Sequence, residues 1–401
     1  MAAQKSNPVS FSKSQMAAAP ERIAQSQQAF RPRLDGLTTL RFFAAFHVIL
    51  FHLYVEGILT VGPWWYRNFA SIGYVGVNFF YVLSGFILVY THAGSDLDPR
   101  RFWQARFARV YPAYLFSLAV TAPFFFLTAP SLNLPFFAWS MHHLLLASIL
   151  ALALLQSWVP QGALTWNPVC WSLSVEAFFY ALFPFLLKKT KPLSRRSLPF
   201  WIAGTWLVSL SISAAYIALH PDGAANINST DTTLFWKNVL SFNPLVRLPE
   251  FVVGMLTCRL FLSSGRSRGL GSICILSGVA GFALVTIFAT KLPNPVISTG
   301  LLSPAFAAII YGVALQTRWT RFLFLAPLLY LGEASYSLYL LHSWVISSVL
   351  ERLPHWPLAI RVVLCVAAAI AASLLTYKFI EQPARKLLRP NRHQQAETRA
   401  S

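Results

Sequence analysis

Long apolar runs separated by short polar stretches fill the chain from residue 36 to residue 380. Ten of them approach the ~20 residues a helix needs to cross a bilayer. They fall at 36–55, 71–92, 111–128, 168–187, 198–219, 245–262, 270–290, 296–315, 326–350 and 357–380. An eleventh run, "LLLASILALALLQSW" from Leu144, is short for a crossing and stops before Pro160 and Gly162. The pattern predicts an all-α polytopic membrane protein. Residues 34–388 form its membrane domain, between a polar, disordered tail at 1–33 and a basic tail at 389–401.

Composition agrees. Of 401 residues, 56% are hydrophobic and 11% charged, and the mean hydropathy is +0.54. A soluble domain of this size needs more polar surface. The net charge of +19 would suggest nucleic acid in a soluble protein. Here it fits cytoplasmic loops rich in Lys and Arg, so no nucleic-acid partner is expected.

Those loops also set the topology. "RRFWQARFARVYP", "KKTKPLSRR", the group Arg259, Arg266 and Arg268, the pair Arg318 and Arg321, and "RKLLRPNR" recur along the chain. All can face the cytoplasm if the Leu144 run does not cross completely. The expectation is ten spans plus one re-entrant or interfacial segment, with both termini cytoplasmic. The alternative is eleven spans, with "KKTKPLSRR" outside against the charge bias. Four cysteines, Cys170, Cys258, Cys274 and Cys365, stand in or beside apolar runs without Cys-x-x-Cys spacing. Neither structural zinc nor a disulfide framework is expected, and no metal site. There is no internal repeat of the kind found in many transporters.

The candidate chemistry lies in polar residues inside apolar runs. In "LRFFAAFHVILFHLYV", Arg41 and His52 are eleven residues apart. That is ~20° around a helix and ~16 Å along it, so they share a face. In "WSLSVEAFFYALFP", Ser172, Glu176 and Tyr180 form an i, i+4, i+8 stripe. The expected topology places Glu176 ~12 Å deep, level with His52, where a carboxylate could orient the imidazole. Ser335, Tyr339 and His342 make a third stripe, with Glu333 on another side and Glu250 near the outer end of its helix. Arg106 and Arg109 are i, i+3 neighbours at the inner edge, suited to gripping a polyanion such as phosphate.

Each feature has a plainer reading. The two arginines could be topogenic charges, and His342 a packed histidine. His47, His142 and His143 are read as packing or interfacial residues. Buried His, Glu and Arg would also serve a proton relay, so a transporter or lipid flippase, or an inactive scaffold, stays open beside an enzyme.

Taken together the motifs resemble the acyltransferase type 3 family of membrane-bound O-acyltransferases, over about 34–390. "RLDGLTTLRFFAAFHVILFH" carries Arg41-x10-His52 at the family's spacing. "GVNFFYVLSGFIL", "RFARVYP", "WSLSVEAFFYALFP", "YSLYLLH" and "FIEQPARK" follow in order. Many members carry aspartate where this chain has Asn78. The resemblance implies an integral protein of a bacterial inner membrane. It would move an acyl group, most commonly acetyl, from cytoplasmic acyl-CoA to an acceptor hydroxyl outside. Members acetylate surface polysaccharides, lipopolysaccharide, nodulation oligosaccharides and some antibiotics. A polysaccharide of the cell envelope, a lipid-linked sugar, peptidoglycan or a small metabolite would each fit as acceptor, with a carbohydrate or lipid-linked saccharide expected.

In that scheme His52 is the general base and Glu176 its partner, while Arg41, Arg106 and Arg109 hold the CoA phosphates. Ser172, Tyr180, Tyr339 and His342 line the substrate path. An acyl-histidine intermediate is the mechanistic rival. No permanently bound cofactor is expected. Leu83-Ser84-Gly85 reads as a helix packing or bending point and not as a nucleophile motif.

Overall fold

A computed structural model describes residues 32–94, 97–229, 231–265 and 267–388. The tails expected at 1–33 and 389–401 lie outside these residues, apart from Pro32 and Arg33. Among the described residues there is no strand. Each of the ten apolar runs contributes a helix: α1 (Asp35–Val55), α2 (Val75–His92), α3 (Pro99–Pro123), α4 (Trp171–Thr190), α5 (Leu198–Leu219), α6 (Pro244–Ser263), α7 (Arg268–Ile287), α8 (Ser303–Ala314), α9 (Ala326–Arg352) and α10 (Leu358–Thr376).

Among the described residues, eight helices are long and apolar enough to cross a membrane, or nine if one bent pair counts as a span. Helices α6 and α9 fall outside that set because they carry polar residues into the protein interior. Burial sorts the rest. The apolar window of α2 is 72% buried, while those of α5, α7 and α10 are 17% buried and leave most of their surface to lipid.

Helix α3 starts twelve residues before the apolar run does. Asp98 caps it by accepting from the Arg100 backbone N–H at 3.0 Å, and Pro99 occupies the first turn. "RRFWQARFAR" is therefore helical, which places Arg106 and Arg109 on α3 itself. A π-helical turn, Phe124–Thr128, follows Pro123. Proline supplies no N–H there and crowds the preceding turn. In the 296–315 run, Gly300 has φ +84°, and the chain breaks between the short helix Asn294–Ser298 and α8.

The Leu144 run does not form a continuous crossing. Pro135–His142 and Leu144–Leu152 meet at 101°. The second piece has nine residues, ~13 Å by its rise, against a hydrocarbon core of ~30 Å. Its last carbonyls are satisfied from α3: Tyr111 and Tyr114 hydroxyls donate to Leu152 and Ala151 at 2.8 and 2.6 Å. This is how irregular backbone survives at membrane depth, paired inside the protein and away from lipid. The chain then passes through 3-10 turns into α4.

The centre is held by close helix crossings at glycine. A Cβ on Gly85 of α2 would lie 2.1 Å from the Phe251 carbonyl oxygen of α6, and one on Gly254 would lie 1.9 Å from that of Val82. Gly332 makes the same approach from α9 to Thr38 of α1, at 2.2 Å. Without side chains at these points the backbones come together, as membrane helices require where apolar burial alone gives no drive.

Candidate active site

Helices α1, α2, α3, α4 and α9 enclose a cavity of about 200 Å³. The residues singled out in the sequence gather on it. Arg41, Arg106, Arg109, Ser172, Glu176, Tyr180 and Tyr339 all line it. The expected stripe on α4 runs along one wall.

The guanidinium end is crowded with positive charge. Arg41 and Arg106 each feel Arg109 as a like-charge neighbour and Glu176 as an opposite one. Arg106 lies over the rings of Phe102 and Tyr180, at 5.6 and 5.8 Å from their centroids. Its Nε is buried and has no hydrogen-bond partner among the described residues. A buried guanidinium donor left open beside a cavity suits an anionic ligand.

Glu176 accepts hydrogen bonds from the Tyr180 hydroxyl and from Ser84 Oγ, the latter at 3.2 Å. This corrects the pairing expected from depth: among the described contacts, none joins Glu176 to His52. Glu176 belongs to the arginine end. Ser84 is spent as a donor to this carboxylate, and neighbouring Gly85 is the α2–α6 packing point, as the Leu83-Ser84-Gly85 reading anticipated.

At the other end the Tyr339 hydroxyl donates to the Val169 carbonyl at 2.9 Å and accepts from Ser172 Oγ at 2.7 Å. The Tyr339 ring lies 5.7 Å from that of His342, which lies 4.8 Å from that of His52 in an edge-on arrangement. His52 and His342 therefore stand just beyond this end of the cavity and do not line it. His52 is partly exposed and His342 wholly buried.

His47 packs as expected. Its Nε2 lies 2.7 Å from the Phe69 carbonyl oxygen and its ring stacks on Phe69 at 4.2 Å. His142 and His143 sit at the bend between the two short helices.

Three features escaped the sequence reading. Tyr81 and Tyr336 also line the cavity. Tyr81 lies three residues before Ser84 on α2, a spacing that marks a shared face. The third is a buried cluster of Arg247, Glu250 and Asn78. Arg247 Nη1 lies 3.0 Å from Glu250 Oε1, with side-chain exposures of 3% and 0%. Asn78 Nδ2 donates to the same carboxylate oxygen at 3.2 Å and to the Ser298 carbonyl at 2.9 Å. The i, i+3 spacing of Arg247 and Glu250 was the available signal. The cluster also accounts for Asn78: an aspartate could donate to neither oxygen and would set a second carboxylate against Glu250.

Among the described residues no group of three or more His, Cys, Asp or Glu could hold a metal ion.

A family model described as an acyltransferase domain matches residues 34–378. The acyltransferase MdmB of Streptomyces mycarofaciens is 29% identical over 383 residues, covering 89% of this chain and 92% of the relative. The O-acetyltransferase OatA of Staphylococcus aureus is 26% identical over 391 residues. That match covers 90% of this chain but only 58% of OatA. A putative O-acetyltransferase of the same organism is 25% identical over 388 residues, again covering 58% of the relative. No solved structure matches the chain.

Proposed function

The chain belongs to the acyltransferase domain family, and from that premise we propose an O-acyltransferase that carries an acyl group, acetyl by the names of its relatives, from acyl-CoA to an acceptor hydroxyl. The observation that carries the proposal is the polarity of the cavity. Three arginines, one with an open buried donor, crowd one end, and two imidazoles stand beyond the other.

Arg41, Arg106 and Arg109 hold the donor's phosphates at the cytoplasmic edge. Pockets that take drug-sized ligands run to ~300–1,000 Å³. A slot of about 200 Å³ suits a thin pantetheine arm, with the nucleotide left at its mouth. The eleven residues from Arg41 to His52 span ~16 Å of helix, within the ~15–20 Å reach of the extended arm. The thioester thus arrives beside the imidazoles.

His52 acts as general base on the acceptor hydroxyl as it attacks the thioester carbonyl. Tyr339 and Ser172 line the slot at the end nearest the base, and His342 stands behind Tyr339. Glu176 serves as the counter-charge of the arginine end and fixes Tyr180. The acceptor, a carbohydrate or lipid-linked saccharide, approaches from outside the cytoplasm to the partly exposed His52. The protein resides in the bacterial inner membrane, with both termini cytoplasmic.

Purified protein in detergent tests the reading. It is expected to bind acetyl-CoA and release free CoA slowly, with water as a poor acceptor. A protein that neither binds nor consumes acetyl-CoA would refute the donor assignment and favour a transporter that uses the same buried His, Glu and Arg as a relay.

A further inference from the structure

Among the described contacts no carboxylate holds the base assigned above, and Glu176 is engaged by Ser84 and Tyr180. His342 offers another support. Its Nδ1 lies 2.7 Å from the Tyr339 carbonyl oxygen and 3.3 Å from that of Leu338. A carbonyl oxygen only accepts, so Nδ1 carries the ring hydrogen, and Nε2 of the neutral ring is a bare lone pair. That Nε2 is buried and has no partner among the described residues. Buried acceptors are rarely left so.

Two rings in contact with His342 could supply a donor. The Tyr339 hydroxyl already donates to Val169. The other is His52, edge-on at 4.8 Å between centroids. Burial orders the pair. His342 is fully enclosed, whereas His52 keeps partial exposure.

We propose that His342 is a positioning residue whose Nε2 accepts the ring N–H of His52. That bond would fix the His52 tautomer and leave its other nitrogen bare toward the acceptor hydroxyl. An imidazole then does what a carboxylate does in other base–orienter pairs. The inference rests on His52 being the base. In the reaction, the hydroxyl proton moves to the bare nitrogen of His52 as the oxygen attacks the thioester carbon. The C–O bond forms, the C–S bond breaks, and the proton passes from His52 to the departing thiolate to give CoA-SH. His342 keeps its own Nδ1 hydrogen throughout.

Side chains of graded reach test this. His342→Gln extends an amide oxygen to about where Nε2 stands, His342→Asn falls short of it, and His342→Phe keeps the ring without an acceptor. The readouts are kcat and KM for acetyl-CoA in the CoA-release assay. The Phe and Asn variants are expected to lose about 10- to 100-fold in kcat, the usual cost of an orienting partner, with KM within about twofold. The Gln variant is expected to recover most of the loss. Unchanged kcat in His342→Phe, a raised KM with kcat intact, or a Gln variant as slow as Phe would each overturn the proposal. If the Phe variant does not fold, the contrast between Gln and Asn decides. His52→Ala separates the two claims. Activity surviving in His52→Ala removes the base itself. An inactive His52→Ala beside an unaffected His342→Phe removes only the pairing.

Discussion

Replacing Arg247 by methionine tests how the buried polar cluster of α6 is held. The side chain is almost fully enclosed, and its Nη1 lies 3.0 Å from Glu250 Oε1. Its Nε donates to the Ser241 carbonyl at 2.9 Å, and Nη1 also donates to the Ser298 carbonyl. Its guanidinium lies 5.6 Å from the centre of the Trp171 ring. Methionine keeps much of the volume and removes every polar partner. Glu250 would then be a buried carboxylate held, among the described contacts, only by Asn78 at 3.2 Å. Breaking one side of a buried ion pair costs ~3–5 kcal/mol. For soluble domains of ~150–250 residues, size scaling converts this into a fall of about 6–20 °C in Tm. Thermal unfolding in detergent, followed by tryptophan fluorescence, measures it. The double change Arg247→Met/Glu250→Leu should cost less than Arg247→Met alone, because it removes the stranded charge as well. A loss below ~1 kcal/mol in the single variant, or a double variant as costly as the sum of its parts, would refute the reasoning.

Other expectations follow from the same contacts. Asn78→Asp removes the donor to Glu250 and to the Ser298 carbonyl and adds a like charge; it should destabilise by at least ~1–3 kcal/mol in the same melt. Gly254→Ala drives a methyl into the Val82 carbonyl and should cost ~1–3 kcal/mol or more, with a matching loss of acetyl-CoA binding if the α2–α6 crossing shapes the cavity. Glu176→Gln keeps an acceptor for Tyr180 and Ser84 while removing charge. Measured as CoA release, its kcat should fall less than about tenfold, against ~10²-fold or more for His52→Ala. Equal losses in the two would return Glu176 to the base.

Much of this was legible in the sequence because helices in lipid are written as long apolar runs. The ten runs became ten helices, and the spacings 41/52, 172/176/180 and 335/339/342 placed their residues on or beside one site. Periodicity reports a residue's face and its distance along its own helix. It says nothing of tilt or of the neighbour across the gap. Counting rise along two helices therefore put Glu176 level with His52, whereas helix packing turned it toward Arg41 and Arg106. Hydropathy located α6 but not the pairing on it, where Arg247 and Glu250 neutralise one another out of sight of lipid. The start of α3 was hidden for the opposite reason. A basic, polar stretch reads as loop, but Asp98 and Pro99 begin a helix there that carries the arginines into the cavity.

The central claim is that a cavity with a phosphate-gripping end stops beside a base ~16 Å away along α1. The most direct test measures acetyl-CoA binding and CoA release side by side in the wild type, His52→Ala and Arg106→Ala/Arg109→Ala. The account predicts that His52→Ala binds acetyl-CoA normally and releases no CoA above background, while the arginine pair variant loses binding. Undiminished release by His52→Ala, or undiminished binding without Arg106 and Arg109, would contradict it.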